Sequence, residues 1–149
     1  MSIVIGVVGS GDLSKSSDTI AYEVGRLIAG EGAMLACGGM AGIMEAACRG
    51  AYESGGTTLG ILPGETKDKA NPYVTIPLPT GMGVGRNVLV VRASDSMIAL
   101  DGGTGTLSEI AFALNIGVPV VDLGGWKIEG VVSVKTPGEA VETALSLAS

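Results

Sequence analysis

Residues 101–109 have the types and spacing that could do chemistry. They follow an apolar run and precede apolar residues spaced as on one face of a helix, which predicts a strand, a glycine turn and a helix. Glycines leave the backbone open to a ligand, threonines add hydroxyl donors, and the free N–H groups of the helix's first turn favour an anion. The residues predicted to bind phosphate in this turn are Gly102, Gly103, Thr104, Gly105 and Thr106.

Two further glycine turns follow the predicted strands at residues 3–8 and 33–37. Because the carboxyl ends of parallel strands meet at one edge of a sheet, all three turns are expected to form one rim. The first turn begins like a dinucleotide fingerprint, but Ser14 stands at its third glycine position and Cys37 replaces the acidic residue that binds ribose, so an NAD site is not predicted. The residues predicted to contact the ligand are Ser10, Gly11, Gly38, Gly39 and Gly42.

Predicted strands and helices alternate along the whole chain. Residues 1–149 are therefore expected to form one α/β domain, Rossmann-like and doubly wound, with a mainly parallel sheet and helices on both faces. The core is built from aliphatic residues, since 46% of the chain is hydrophobic and only 3% aromatic. Residues 86–93 carry β-branched side chains that favour a strand, but a parallel sheet needs a crossover here, so we predict a helix. The remaining strands are predicted at residues 57–62, 73–77, 97–100, 118–122 and 131–134.

Local signals also predict where helices begin and what they contact. Asp18 is predicted to cap the first helix, and Thr136 to cap the last in a capping box with Glu139. The second helix carries small residues that allow close approach of the sheet or of a second subunit's helix. These are Ala46, Ala47, Gly50 and Ala51.

Composition and charge exclude several classes of function. The net charge of −6 with no basic cluster makes nucleic acid an unexpected partner. No apolar run approaches the roughly 20 residues of a membrane span, and the first residues do not read as a signal peptide, so a cytoplasmic location is predicted. Cys37 and Cys48 are predicted to be buried reduced thiols. The absence of histidine excludes the usual Cys/His zinc site, and no metal site is predicted.

Several of these motifs, taken in order, resemble those of one known superfamily. The glycines of residues 37–44, then Arg86, then the glycines of residues 102–106 with Glu109 are similar to the LOG-like (LONELY GUY) superfamily. That superfamily includes cytokinin-activating phosphoribohydrolases, molybdenum cofactor carrier proteins and more distant relatives of the DNA-processing protein DprA. The resemblance covers nearly the whole chain, and residues 62–64, 70–73 and 85–92 look most like the short carrier branch.

This resemblance implies two alternative functions. As a carrier, the chain would bind a phosphate-bearing nucleotide or pterin-type ligand, such as the molybdenum cofactor or a nucleoside monophosphate, and form a homo-oligomer, either a dimer or a tetramer. As a phosphoribohydrolase, it would use Arg86 and Glu109 to cleave the base from ribose 5′-phosphate. The older family label "lysine decarboxylase" is rejected, because no lysine adjoins a glycine turn to form a Schiff base.

Departures from the family pattern favour the carrier. Asp101 stands where the family has proline or glycine and places a negative charge beside the phosphate turn, and the chain lacks the longer C-terminal part of the hydrolases. Glu109 also has a purely structural interpretation, as the last residue of a capping box that begins at Thr106. A role with DNA, as in the DprA relatives, is disfavoured by the acidic charge.

Overall fold

A single parallel sheet is the framework of the molecule. The computed structural model describes residues 2–12 and 15–149, with backbone alone at residues 15 and 16; Ser14 therefore lies outside the described residues. Among the described residues seven strands pair in the order β4-β3-β2-β1-β5-β6-β7, all parallel. The strands are β1 (Val4–Val8), β2 (Met34–Cys37), β3 (Thr58–Leu62), β4 (Ile76–Pro79), β5 (Ser96–Ala99), β6 (Val120–Asp122) and β7 (Val132–Ser133).

Helices cover both faces of this sheet, which confirms the predicted doubly wound α/β fold. They are α1 (Lys15–Gly30), α2 (Ile43–Glu53), α3 (Arg86–Ala93), α4 (Thr104–Ile116) and α5 (Pro137–Ala148). Side chains alternate along the buried strands, so that Ile98 packs with α1, α2 and α5, whereas Met97 and Ala99 pack with α3 and α4. Within the described ranges, the helices are too short or too polar to cross a bilayer.

Helices α1 and α2 pack closely through glycine. A Cβ atom at Gly25 would lie 1.9 Å from the carbonyl oxygen of Ala47, and one at Gly50 would lie 2.0 Å from that of Tyr22. Neither position can therefore carry a side chain at this helix separation. The small residues of α2 are buried against α1 of the same chain. They also belong to the core cluster that contains residues of β1 and β2, which agrees with the predicted approach to the sheet, whereas a contact with a second subunit stays a prediction.

The crossover before β5 is helical, as predicted. Helix α3 spans Arg86–Ala93, so the need for a crossover outweighs the strand propensity of its valines. The cap of α5 is confirmed as well, since Thr136 Oγ1 accepts a hydrogen bond of 3.1 Å from the Glu139 N–H.

Two local predictions are wrong because distant residues take part. Strand β4 begins at Ile76 rather than at residue 73, because the carbonyl of Tyr73 accepts a hydrogen bond from the Thr58 hydroxyl and closes a turn. Helix α1 begins at Lys15, and Asp18 lies in its first turn. Its carboxylate pairs with Arg49 at 3.2 Å instead of capping the helix.

Candidate functional site

The three glycine turns meet at the carboxyl edge of the sheet. The chain winds outward from β1 to β4 and then returns to place β5 on the other side of β1, which opens a crevice at this reversal of strand order. Ser10 joins the three turns. Its N–H donates to the carbonyl of Asp101 at 2.7 Å, and its carbonyl accepts from the N–H of Ile43 at 2.9 Å. The predicted rim is therefore one hydrogen-bonded unit.

A cavity of about 190 Å³ lies between these turns. Most of the residues predicted to form the site line it, and they come from four separate regions of the sequence. These are Ser10, Gly11, Gly38, Arg86, Gly103, Gly105, Thr106 and Glu109. Its wall is completed by Val7, Val8, Gly9, Met44 and Asn87.

The other four predicted residues shape the rim without lining the cavity. Gly42 has φ +72, and a Cβ atom there would lie 2.4 Å from the carbonyl oxygen of Ser10. A Cβ atom at Gly102 would lie 2.0 Å from the hydroxyl of Thr106. Gly39 has φ +77, and Thr104 is the exposed first residue of α4. Gly39, Gly42 and Gly102 are therefore needed because a side chain would not suit the backbone conformation or would overlap neighbouring atoms, and not because a ligand approaches them.

Arg86 brings an uncompensated positive charge to the cavity. Its Nε donates to the carbonyl of Ile61 at 2.8 Å, one terminal nitrogen donates to Asn87 Oδ1, and the other approaches the carbonyl of Gly38 at 3.5 Å. All three partners are neutral. Within the described part of the chain the ion pairs are Arg26–Glu23 and Arg49–Asp18, so the guanidinium has no carboxylate within 4.0 Å. It is held in place and remains available to an anion.

Glu109 is a buried carboxyl on the opposite wall. It is 8% exposed, and burial raises its pKa from 4.5 to about 7, although the nearby charge of Arg86 acts in the other direction. Helix α4 begins at Thr104, its N-cap is Gly103, and no side chain caps it. The predicted capping box from Thr106 to Glu109 is therefore wrong. Because Glu109 lies in the second turn of α4, its side chain reaches the cavity instead.

The carboxylate of Asp101 lies outside the cavity lining. It accepts a hydrogen bond of 3.3 Å from the hydroxyl of Ser17 in the first turn of α1. A helix N-terminus favours negative charge, so the acidic residue is accommodated without facing the proposed phosphate. No three His, Cys, Asp or Glu side chains cluster as a metal site in the part of the chain that the structure describes.

Two residues of the cavity were missed by the sequence analysis. Asn87 Oδ1 accepts a hydrogen bond from Arg86, so the N–H donors of Asn87 Nδ2 point away from Arg86. Nδ2 lies near Gly105, 3.8 Å from the position that a Cβ atom would take there. Met44 lines the wall beside Gly38. Both residues lie in segments that carry the family resemblance, residues 37–44 and 85–92, but their residue types alone do not indicate a role in the site. Only tertiary contacts identify their position.

The loop after β6 contacts the segment directly before the glycine turn at residues 102–106. The buried carboxylate of Asp122 accepts hydrogen bonds of 2.9 Å from the N–H groups of Gly124 and Lys127. The loop conformation thus held allows Trp126 Nε1 to donate to the carbonyl of Leu100 at 2.8 Å, directly before the turn. Trp126 is half-buried and anchors this loop.

Comparison with known proteins gives matches over nearly the full length of the chain. The chain is 45% identical over 143 residues to an uncharacterized protein of Archaeoglobus fulgidus, covering 95% of this chain and 94% of that one. It is 34% identical to the molybdenum cofactor binding protein of Rippkaea orientalis, with a TM-score of 0.93 and coverage of 100% and 99%. The molybdenum cofactor carrier protein of Chlamydomonas reinhardtii is 32% identical, with a TM-score of 0.89 and coverage of 99% and 98%.

These solved structures share both the sheet and its connections with the present chain. The model of the SLOG cluster4 family matches residues 2–146, a range that contains the whole candidate site. The predicted resemblance to the LOG-like superfamily is confirmed. By sequence and by structure, this chain belongs to the SLOG cluster4 family.

Proposed function

We propose that this chain binds a phosphate-bearing nucleotide or pterin-type ligand in the cavity between its glycine turns. The observation that carries the proposal is Arg86, a fixed cation without a carboxylate partner among the described residues. Gly103 faces it from the start of α4, where nothing lies within 4 Å of a Cβ position. A guanidinium and the free N–H groups of a helix N-terminus together form a site for a phosphate.

The ligand is proposed to be the molybdenum cofactor or a related pterin phosphate. Proteins of that description are similar to this chain over its full length, which supports the same ligand class. The donors fit the phosphate end of such a group: Arg86, Asn87 and the backbone at Gly103 would hold it. Because 190 Å³ is below the roughly 300–1,000 Å³ of ordinary ligand sites, the ring system would extend into the open mouth. The bound cofactor would supply redox chemistry only after delivery to an enzyme.

The alternative function is hydrolysis of a nucleoside 5′-monophosphate, and Glu109 is the observation that favours it. With a pKa of about 7, this buried carboxyl is present in both protonation states near neutral pH. In that reaction Arg86 would hold the 5′-phosphate. The C1′–N bond would break, water would add at C1′, and Glu109 would transfer the proton that the departing base requires.

One experiment separates the two functions. Purified protein is incubated with a panel of nucleoside 5′-monophosphates, free base is followed by chromatography, and binding of the same nucleotides and of a pterin phosphate is measured by calorimetry. The variants are Glu109→Gln and, as a matched control at an exposed position, Glu129→Gln. Base released by the wild type and the control but not by Glu109→Gln indicates the hydrolase. Binding without release indicates the carrier, and neither binding nor release would refute both.

We also propose that the chain forms a homo-oligomer, a dimer or a tetramer. Exposed apolar side chains near the cavity mouth support a second copy of the chain as their partner, since soluble proteins seldom leave such groups together in water. They are Met82, Val84, Val88 and Leu107, with Val84 85% exposed. Size-exclusion chromatography with light scattering tests this: a mass of 14.8 kDa would refute it, and Val84→Lys should reduce the assembly.

A cytoplasmic location stays a prediction. The two free cysteines support it, because disulfides are rare in a reducing compartment. Fractionation of cells that express a tagged chain would test it.

A further inference from the structure

Two cysteines lie in direct contact beneath the second glycine turn. Cys37 is the last residue of β2, Cys48 lies in α2, and both are free and completely buried, as the sequence predicts. Their sulfur atoms are 3.4 Å apart. This pair has no part in the proposed binding chemistry. The direct contact of its sulfur atoms distinguishes it from two thiols that are buried separately in a core.

The sulfur of Cys37 also holds the turn that the pair encloses. Residues 38–42 lie between the two cysteines in sequence, and the N–H of Gly39 donates to Cys37 Sγ at 3.3 Å. Asn71 fixes the same turn from the other side, because its N–H donates to the carbonyl of Gly39 and its Nδ2 to that of Met40, both at 2.9 Å. Since a Cβ atom at Gly39 would lie 2.8 Å from Leu62, the turn has little room to adjust.

We propose that Cys37 and Cys48 are an oxidative modification site, at which a hydroperoxide closes a reversible disulfide that displaces the glycine turn 38–42. An S–S bond is about 2.05 Å long, so the two sulfur atoms must approach by about 1.4 Å. That movement draws Cys37 Sγ away from the Gly39 N–H and leaves a buried donor without its acceptor. The effect on ligand binding rests on the proposed function, because Gly38 of this turn lines the cavity.

The chemistry assigns a different role to each thiol. The Cys37 thiolate attacks the O–O bond of the peroxide, which gives a sulfenic acid and releases water or an alcohol. Cys48 then attacks the Cys37 sulfur, so that the S–S bond forms, the S–O bond breaks and a second water leaves. Two thiols are oxidised by two electrons and one peroxide is reduced. The contact with Cys48 lowers the pKa of Cys37 in spite of burial, whereas the same contact and burial raise the pKa of Cys48.

Treatment of the folded full chain with hydrogen peroxide tests the cross-link. We expect an intact mass lower by two hydrogens, restored by dithiothreitol and formed slowly, because both thiols are buried. In Cys48→Ala, Cys37 should instead gain oxygen, since the resolving thiol is missing. Protein that stays folded and shows no such cross-link after prolonged treatment would overturn the proposal.

The effect on the turn is measured separately. Amide hydrogen exchange should increase in residues 38–42 of the oxidised protein, and binding of a nucleoside 5′-monophosphate should weaken about tenfold, as expected for one impaired hydrogen bond to the phosphate. A cross-link that leaves exchange in residues 38–42 unchanged would refute the displacement. If the reduced protein binds neither a nucleotide nor a pterin phosphate, the proposed function fails, while mass and exchange still decide the disulfide.

Discussion

Replacing Glu109 by glutamine should stabilise the protein at neutral and alkaline pH. Glutamine has nearly the same shape but carries no charge, so the substitution removes the cost of ionising a carboxyl that is 8% exposed. Raising a pKa from 4.5 to about 7, at about 1.4 kcal/mol for each pH unit, corresponds to about 3 kcal/mol. That is a large fraction of the roughly 5–15 kcal/mol that stabilises an ordinary domain.

The sign of the pH dependence follows from proton binding. Between pH 4.5 and about 7 the folded state keeps a proton on Glu109 that the unfolded state has lost. The free energy of unfolding of the wild type therefore falls as pH rises through this interval. The glutamine variant lacks this titrating group and should not show this fall. Below the interval Glu109 is protonated in both the folded and the unfolded state, so wild type and Glu109→Gln should be similarly stable. Above it the variant should be more stable by about 3 kcal/mol.

Urea unfolding at a series of pH values from about 4 to about 8.5 measures this difference. Glu129→Gln, an exchange at an exposed carboxyl, corrects for the loss of one negative charge from an acidic protein. A difference between wild type and Glu109→Gln that stays constant within about 0.5 kcal/mol over the whole range would refute the reasoning. A variant that is less stable at alkaline pH would instead indicate a carboxylate stabilised by hydrogen bonds.

Three further substitutions test the turn, the cation and the supporting loop. Gly103→Val has free space around its Cβ position, so stability should change by less than about 1 kcal/mol while nucleotide binding is lost by calorimetry; unchanged affinity would exclude the phosphate turn. Asn87→Asp keeps the acceptor for Arg86 but replaces the N–H donors by a negative charge. Binding of a nucleoside monophosphate should therefore weaken about 10- to 100-fold, whereas binding of the nucleoside should change little. Equal losses of affinity for both ligands would indicate a structural role for Asn87. Asp122→Ala leaves two backbone donors unpaired and should lower the free energy of unfolding by about 2 kcal/mol. The fluorescence of Trp126 should shift as well, and an unaltered spectrum would contradict the role of Asp122 in holding this loop.

Prediction from the sequence was most accurate where structure depends on near neighbours. The alternation of buried strands and helices, the helix at residues 86–93 and the cap at Thr136 all agree with the structure. Apolar periodicity, the backbone freedom of glycine and side-chain capping act within a few residues, so the local sequence contains what is needed to infer them. For the same reason the three glycine turns were identifiable before their arrangement was known.

Prediction was wrong where a distant residue competed with a local partner. Asp18 is a good N-cap residue, yet Arg49 from α2 takes its carboxylate. The segment before β4 favours a strand, yet the Thr58 hydroxyl closes it into a turn.

The sequence by itself determined the α/β class and the glycine turns, and its resemblance to a known superfamily added Arg86 and Glu109 as candidate site residues. Tertiary structure alone decided that β1 and β5 are neighbours, and therefore that turns about 90 residues apart close one cavity. It also decided the raised pKa of Glu109 and the neutral surroundings of Arg86. The physical reason is that desolvation and charge interactions depend on distance in space, and strand order brings together groups that no local pattern connects.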